Sequence, residues 1–138
     1  MKKLFWIAGL GFMIQAANAQ QKAAPAAVKE SFAKAFPGST PKWEKEKDGF
    51  EANFKKDGKT MSAVFAADGT LKETEVSIAV TELPAPVKDY VAKQFKAATI
   101  HEAARITKAD GTVIFEAEVN HRDLLFDAAG KFLKQEND

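Results

Sequence analysis

Apolar residues near the start of the globular region recur every four positions. Val28, Phe32 and Phe36 have this spacing, which places them on one face of an α-helix. Pro25 precedes the pattern, where its missing N–H costs little because the first helical turn has no partner for that group. Pro37-Gly38 follows the pattern and cannot continue it. The spacing therefore predicts a helix of about twelve residues that begins at Pro25.

From residue 42 onward the apolar period changes to two. Phe50, Ala52 and Phe54 alternate with polar residues, as in a strand that rests one face on a core. Asp-Gly pairs are a strong hairpin signal because glycine reaches positive φ without a steric penalty and aspartate tolerates it. Three such pairs separate the alternating runs: Asp48-Gly49, Asp57-Gly58 and Asp68-Gly69. We predict four antiparallel strands, at residues 42–47, 50–55, 60–66 and 71–80.

The same order of patterns then occurs again. Val87, Val91 and Phe95 have the spacing of four, which predicts a second helix. Behind it, alternation and turn residues predict four further strands, at residues 100–108, 113–119, 123–127 and 131–135. Phe50-Glu51-Ala52 in the first copy matches Phe115-Glu116-Ala117 in the second. We predict a duplicated unit, with repeat 1 at residues 25–80 and repeat 2 at residues 81–138.

Each copy offers one helix with a single apolar stripe and one sheet with a single apolar face. Burial is simplest when the helix lies across the sheet. The prediction is an α+β fold of two tandem α-β-β-β-β repeats, with the helices on one face of antiparallel sheet and the other face open. The two copies either join edge to edge in one longer curved sheet or form two half-domains linked through residues 81–85.

The first nineteen residues have the order of a secretory signal peptide. Lys2-Lys3 precede an apolar run from Leu4 to Ile14, and Ala17 and Ala19 supply the small residues of a cleavage site. As a helix, this run rises only about 16 Å, against about 30 Å for a bilayer core. We predict a signal peptide at residues 1–19, cleavage after Ala19, a linker at residues 20–24, and a periplasmic or secreted product. An uncleaved membrane anchor is the competing interpretation.

Charge and cysteine content narrow the classes of partner. The chain has 20 basic and 19 acidic side chains and no cysteine. Loss of Lys2 and Lys3 with the signal peptide leaves 18 basic side chains, a net charge of about −1, which argues against a nucleic-acid partner. An exported protein without cysteine has no disulfide, so its core alone must hold the fold.

Three runs of residues carry a family resemblance: Phe36-Pro37-Gly38 after the first helix, Trp43 to Ala52, and Phe65 to Leu71. They resemble the PepSY-like, beta-lactamase-inhibitor-like family of exported bacterial proteins. The resemblance extends from Pro25 to Lys134, with departures at Lys96-Ala97 and in the turn from Asn120 to Asp123. It implies a fold similar to the tandem-repeat protein inhibitor of beta-lactamase, and a protein-binding role. A fold-level likeness does not identify the target.

The sequence carries no signature of catalysis or of a metal site. His101 and His121 are twenty residues apart, without the clustered ligands of zinc sites. Glu116 and Glu118 would share a strand face about 6.6 Å apart, near the separation in inverting glycosidases, but any solvated strand places alternate acids this way. The Asp-Gly turns lack the calcium-loop pattern. Four serines sit in no nucleophile turn: Ser31, Ser39, Ser62 and Ser77. We expect no enzyme activity and no cofactor.

Strand parity in the second copy predicts which side chains face away from the helices. The predicted set combines aliphatic residues with an arginine and a histidine, as the centres of protein interfaces do: His101, Arg105, Ile114, Glu116, Leu125 and Leu133. Contact between the copies, or with a second chain, would use the same set. We expect Trp43 to cover the first core, and the mixed charges of residues 42–48 to protect an edge strand.

Taken together, these patterns predict a periplasmic, non-enzymatic binding module. It would contact another envelope or secreted protein through the open sheet face, with inhibition of a hydrolase as one form of that contact. The alternative is a module that senses a small ligand or an ion, with a pocket between the helices and the sheet or between the two copies.

Overall fold

A computed structural model of the chain describes residues 24–137. Along this range, helices and strands follow one another in the predicted order: α1 (Ala26–Ala35), β1 (Lys42–Glu46), β2 (Gly49–Lys56), β3 (Lys59–Phe65), β4 (Leu71–Ile78), a 3-10 turn (Val80–Glu82), α2 (Ala85–Gln94), β5 (Glu102–Lys108), β6 (Val113–Glu118), β7 (Arg122–Asp127) and β8 (Phe132–Asn137). The predicted signal peptide and its cleavage site lie outside the described residues. Both α-helices have ten residues. No helix within residues 24–137 is long and apolar enough to cross a membrane.

The strands form one antiparallel sheet in which each pairs with the next, from β1 at one edge to β8 at the other. Strand β4 pairs with β5 over six residue pairs, from Glu73↔Lys108 to Ile78↔Ala103. Residues 24–79, the first half, and residues 80–137, the second half, thus share one continuous sheet. Strand β4 ends two residues before the prediction because the chain turns at Ala79, whose N–H donates to the Glu82 carboxylate.

Both helices lie on the same face of this sheet, which we call the near face. Residues directly opposite in an antiparallel pair point to the same side, and the register links Met61, Val76, Arg105, Phe115 and Phe126 from β3 to β7. Val28 and Phe32 of α1 and the near-face residues of β2 and β3 form the first core. Val87 and Val91 of α2 pack on near-face residues of β5 to β7. The predicted helix-on-sheet arrangement is confirmed.

Trp43 on β1 covers the first core, as expected. Its ring centroid lies 5.5 Å from that of Phe32 and 6.1 Å from that of Phe65, both in edge-to-face geometry. This contact closes the open side of the core at the edge strand and keeps the indole off the opposite face of the sheet.

The turn between β3 and β4 fixes the position of α1. Gly69 in this turn has φ +92°, and a Cβ there would lie 2.7 Å from Ser31 Oγ and 2.8 Å from the carbonyl oxygen of Ala27. A side chain would therefore push the helix away. Glycine allows the turn to touch the helix backbone, so helix and sheet are held in one relative position.

Candidate binding face

The sheet face opposite the helices, called the far face here, is rich in acids. Carboxyl side chains outnumber lysines on it, as the register of the eight strands shows. The acids are Glu44, Glu46, Glu51, Glu73, Glu75, Glu102, Glu116, Glu118, Asp123, Asp127 and Glu136. The lysines are Lys42, Lys55, Lys108 and Lys134. Two of these lysines pair with acids, Lys108 with Glu73 and Lys134 with Glu136.

Four carboxyl groups stand side by side on the last four strands. Glu102 on β5 is directly opposite Glu118 on β6, Glu118 is opposite Asp123 on β7, and Asp123 is opposite Glu136 on β8. Burial and the charge of Glu118 raise the pKa of Glu102. Like charges directly opposite in a sheet are destabilising. We call these four residues the acidic row.

Three glutamates of the far face are buried. Glu51, Glu75 and Glu116, on β2, β4 and β6, are 2, 3 and 8% exposed. Each has one carboxyl oxygen without a hydrogen-bond partner: Glu51 Oε1, Glu75 Oε1 and Glu116 Oε2. Burial is the main cause that raises the pKa of Glu51 to about 7, that of Glu75 to about 8 and that of Glu116 to about 9. Burial thus favours the protonated form of Glu75 and of Glu116.

Several side chains of the far face lie close together across neighbouring strands. The charge of Asp123 on β7 contributes to the raised pKa of Glu75 on β4. Apolar side chains of the same face are buried as well: Val64, Ala104, Ile106 and Leu125.

Three of the six residues predicted to face away from the helices do so. Ile114, Glu116 and Leu125 all lie on the far face. Leu125, however, is only 1% exposed. Little of its side chain is therefore accessible to a partner, and its predicted contact role stays a prediction. Ile114 is half-buried.

Arg105 was assigned to the wrong face. It is directly opposite Phe115 and Val76 and therefore projects from the near face, where its side chain is exposed. The assignment failed because Ala103 and Ala104 give strand β5 small apolar residues on both parities. His101 precedes β5, is exposed, and donates its backbone N–H to the Glu118 carbonyl.

Leu133 lies where the pairing of β7 with β8 shifts its register. Phe126 is opposite Phe132, whereas Leu125 is opposite Lys134, so Leu133 is the extra residue of a bulge. It is 49% exposed. A bulge breaks the alternation of a strand, and parity could therefore not place this residue.

Sequence reasoning missed the buried acids Glu51 and Glu75. A signal for the first existed: Glu51 and Glu116 occupy the same place in the matched Phe-Glu-Ala segments, each between residues of the near-face core. Nothing comparable marks Glu75, which lies between Thr74 and Val76.

One group of described residues has the geometry of a metal site. Carboxylate oxygens of Glu44, Glu46 and Glu51 lie within 4.8 Å of one another at the β1 edge of the far face. A separate cleft of about 390 Å³ opens between α1 and β1, on the helix side of the sheet, and is lined by Phe32, Phe36, Trp43 and other residues. The small-ligand alternative requires a pocket between helix and sheet, and this cleft lies in that position.

Solved structures share this fold, whereas no protein-family model and no curated protein matches the chain. A candidate periplasmic protein from Bacteroides eggerthii has a TM-score of 0.76 at 21% identity, over 83% of this chain and 89% of that one. A DUF2874 family protein from Bacteroides uniformis has a TM-score of 0.74 at 18% identity, over 83% and 90%. A BLIP-like protein from Bacteroides fragilis has a TM-score of 0.68 at 20% identity, over 83% and 86%. The chain is thus similar in fold to BLIP-like and DUF2874 proteins, which supports the expected fold relationship.

Proposed function

We propose that this chain is a periplasmic, non-catalytic binding protein whose far face holds another envelope or secreted protein through that partner's lysine and arginine side chains. The observation that carries the proposal is the acidic row, Glu102, Glu118, Asp123 and Glu136.

Within the acidic row, Glu102 is exposed and Glu118 half-buried, whereas Asp123 is buried and Glu136 is paired with Lys134. The directly opposed like charges of Glu102 and Glu118 disfavour the sheet. Basic groups of a partner would relieve the repulsion, so the same carboxyl groups that weaken the sheet favour the complex. Complementary charge also speeds association and selects among partners.

The proposed location of the chain and the proposed form of the contact come from the signal-peptide pattern and from the descriptions of structural neighbours. The predicted signal peptide and the description of the Bacteroides eggerthii neighbour both favour the periplasm. The BLIP-like description of another neighbour suggests that the contact inhibits the partner. At these identities only the fold is shared, and fold alone does not choose a target. The proposal that the chain is not an enzyme follows from the absence of a catalytic motif in its sequence.

Charge reversal tests the proposal directly. Glu102 is exposed and Glu118 half-buried, so the double variant Glu102→Lys/Glu118→Lys should fold. The matched control is Glu30→Lys/Asp89→Lys, which reverses two exposed acids on the helices. Protein captured from a periplasmic extract by the wild type is purified and its affinity measured for all three forms.

We expect the far-face variant to bind at least about tenfold more weakly and the helix control to bind like the wild type. Wild-type affinity should also fall between about 0.05 and 0.5 M NaCl, as screening requires. Equal affinity of the far-face variant and the control would overturn the proposed role of the acidic row.

A further inference from the structure

We infer that Glu44, Glu46 and Glu51 form a binding site for a hard divalent cation, with calcium as the best fit, at the β1–β2 edge of the far face. This site gives a definite form to the ion-binding alternative. It does not depend on a protein partner, so its test and that of the acidic row can fail separately.

Strand geometry brings the three carboxylates together. Glu44 on β1 is directly opposite Glu51 on β2, and Glu46 lies two residues further along the same face of β1. Their oxygens lie within 4.8 Å of one another. Calcium binds oxygen at about 2.3–2.6 Å, so ligands on opposite sides of the ion are about 4.8 Å apart. The three oxygens are therefore close enough to share one calcium ion, whereas magnesium usually keeps several waters and binds only one or two carboxylates.

Glu51 gives a second and independent indication of a ligand. Its side chain is 2% exposed; hydrogen bonds with Ser62 and Asn53 lower the pKa of its carboxyl group, but its Oε1 atom accepts no hydrogen bond. A buried carboxylate oxygen without a partner is costly. A cation held jointly with the two β1 carboxylates would supply the missing partner.

The lysine between Glu44 and Glu46 in the sequence does not fill this role. Lys45 projects from the near face, opposite Phe50. Its Nζ donates to the carbonyl oxygens of Glu46 and Gly49 and lies 4.7 Å from the centre of the Phe50 ring. The Lys45 amine thus contacts two backbone carbonyl groups and the Phe50 ring.

The donor atoms select the class of cation. All three are carboxylate oxygens, which suit calcium, magnesium and manganese, whereas zinc and copper favour histidine and cysteine. Glu44 is exposed and Glu46 half-buried, so water can complete the coordination shell. An open site of this kind is expected to bind calcium with a Kd of about 10⁻⁴–10⁻³ M, the range of extracellular modules.

Terbium luminescence tests the site, because Trp43 is the neighbour of Glu44 in β1. Terbium replaces calcium at oxygen sites and emits when a nearby tryptophan is excited. The other tryptophan, Trp6, belongs to the predicted signal peptide and is absent from the processed protein. Terbium is titrated into the protein purified after export, and calcium is then added to displace it.

We expect sensitised emission that calcium reverses in the millimolar range. Glu51→Gln should weaken terbium binding at least about tenfold, and Glu44→Gln should weaken it less. Glu116→Gln is the matched control, since Glu116 is an equally placed buried glutamate of the second half, and it should bind like the wild type. Trp43→Phe should lose the emission but keep calcium binding, measured by calorimetry.

Emission that calcium does not displace, or wild-type binding by both Glu51→Gln and Glu44→Gln, would overturn the site. If circular dichroism shows that Glu51→Gln is unfolded, Glu44→Gln decides the question alone, because an exposed side chain on an edge strand contributes little to the fold.

Discussion

The two halves follow one order of elements but fill their cores with different residues. In the first half, the ring of Phe32 lies 5.0–6.3 Å from four other aromatic rings. Val91 takes the corresponding place on α2. The aromatic cluster of the second half forms elsewhere, where Tyr90 stacks on Phe132 at 4.6 Å and meets the edge of Phe126. In the duplication we propose, the two halves thus share the periodicity and the turns, whereas their large core side chains occupy different positions.

The largest expected effect tests this difference in the cores. Phe32→Ala should lower the free energy of unfolding by about 3–5 kcal/mol, because it removes a buried ring from the centre of a cluster. Val91→Ala removes two methyl groups and should cost about 1–3 kcal/mol. Urea denaturation of the two variants measures both losses.

Since β4 and β5 join the halves in one sheet, we expect a single unfolding transition in each variant. Equal losses would show that the aromatic cluster contributes no more than the aliphatic helix contact. Two separate transitions would show that the halves unfold independently.

The halves also differ in their matched buried glutamates. Burial raises the pKa of Glu116 to about 9, but that of Glu51 only to about 7. An acid whose pKa is higher in the folded than in the unfolded state gains a proton on folding between the two values, so stability falls as the pH rises across that range. For Glu116 this pH range extends from about 4.5 to about 9. For Glu51 it extends from about 4.5 to about 7.

Glu116→Gln should therefore raise the free energy of unfolding at pH 8, by an amount on the order of 2 kcal/mol, and flatten its fall above pH 7. Glu51→Gln should flatten the fall below pH 7 and leave the range above it unchanged. Denaturation at pH 5, 7 and 9 separates the two variants. An unchanged slope in Glu116→Gln between pH 7 and 9 would mean that Glu116 does not titrate there.

Sequence alone predicted the helices, the strands and the helix-bearing face, since their signals are local. Spacings of four and two, together with Asp-Gly turns, need only neighbouring residues. The binding face was predicted less well. Ala103 and Ala104 left the parity of β5 ambiguous, and the bulge at Leu133 interrupted that of β8. The burial of Glu75 and Leu125 depends on side chains of neighbouring strands, which no local pattern records.

The smallest predicted effect concerns the ends of the helices, where the second half departs from the family pattern. Gly38 follows α1 with φ +80°, and Ala97 follows α2 with φ +60°. The backbone is thus left-handed at both places, but only glycine adopts that conformation without strain. Ala97→Gly should raise the free energy of unfolding by about 0.5–1 kcal/mol, because relief of strain exceeds the added freedom of the unfolded chain.

Gly38→Ala is the reciprocal change and should lower the free energy of unfolding by about 1 kcal/mol. A Cβ at Gly38 would meet no atom within 4 Å, so backbone strain is the only penalty there. Thermal and urea denaturation of both variants measure the pair. Stability changes of opposite sign in the two variants would show that the second half has the left-handed backbone of the first half although Ala97 disfavours it. A loss of stability in Ala97→Gly would instead mean that the alanine methyl group contributes packing that outweighs the strain.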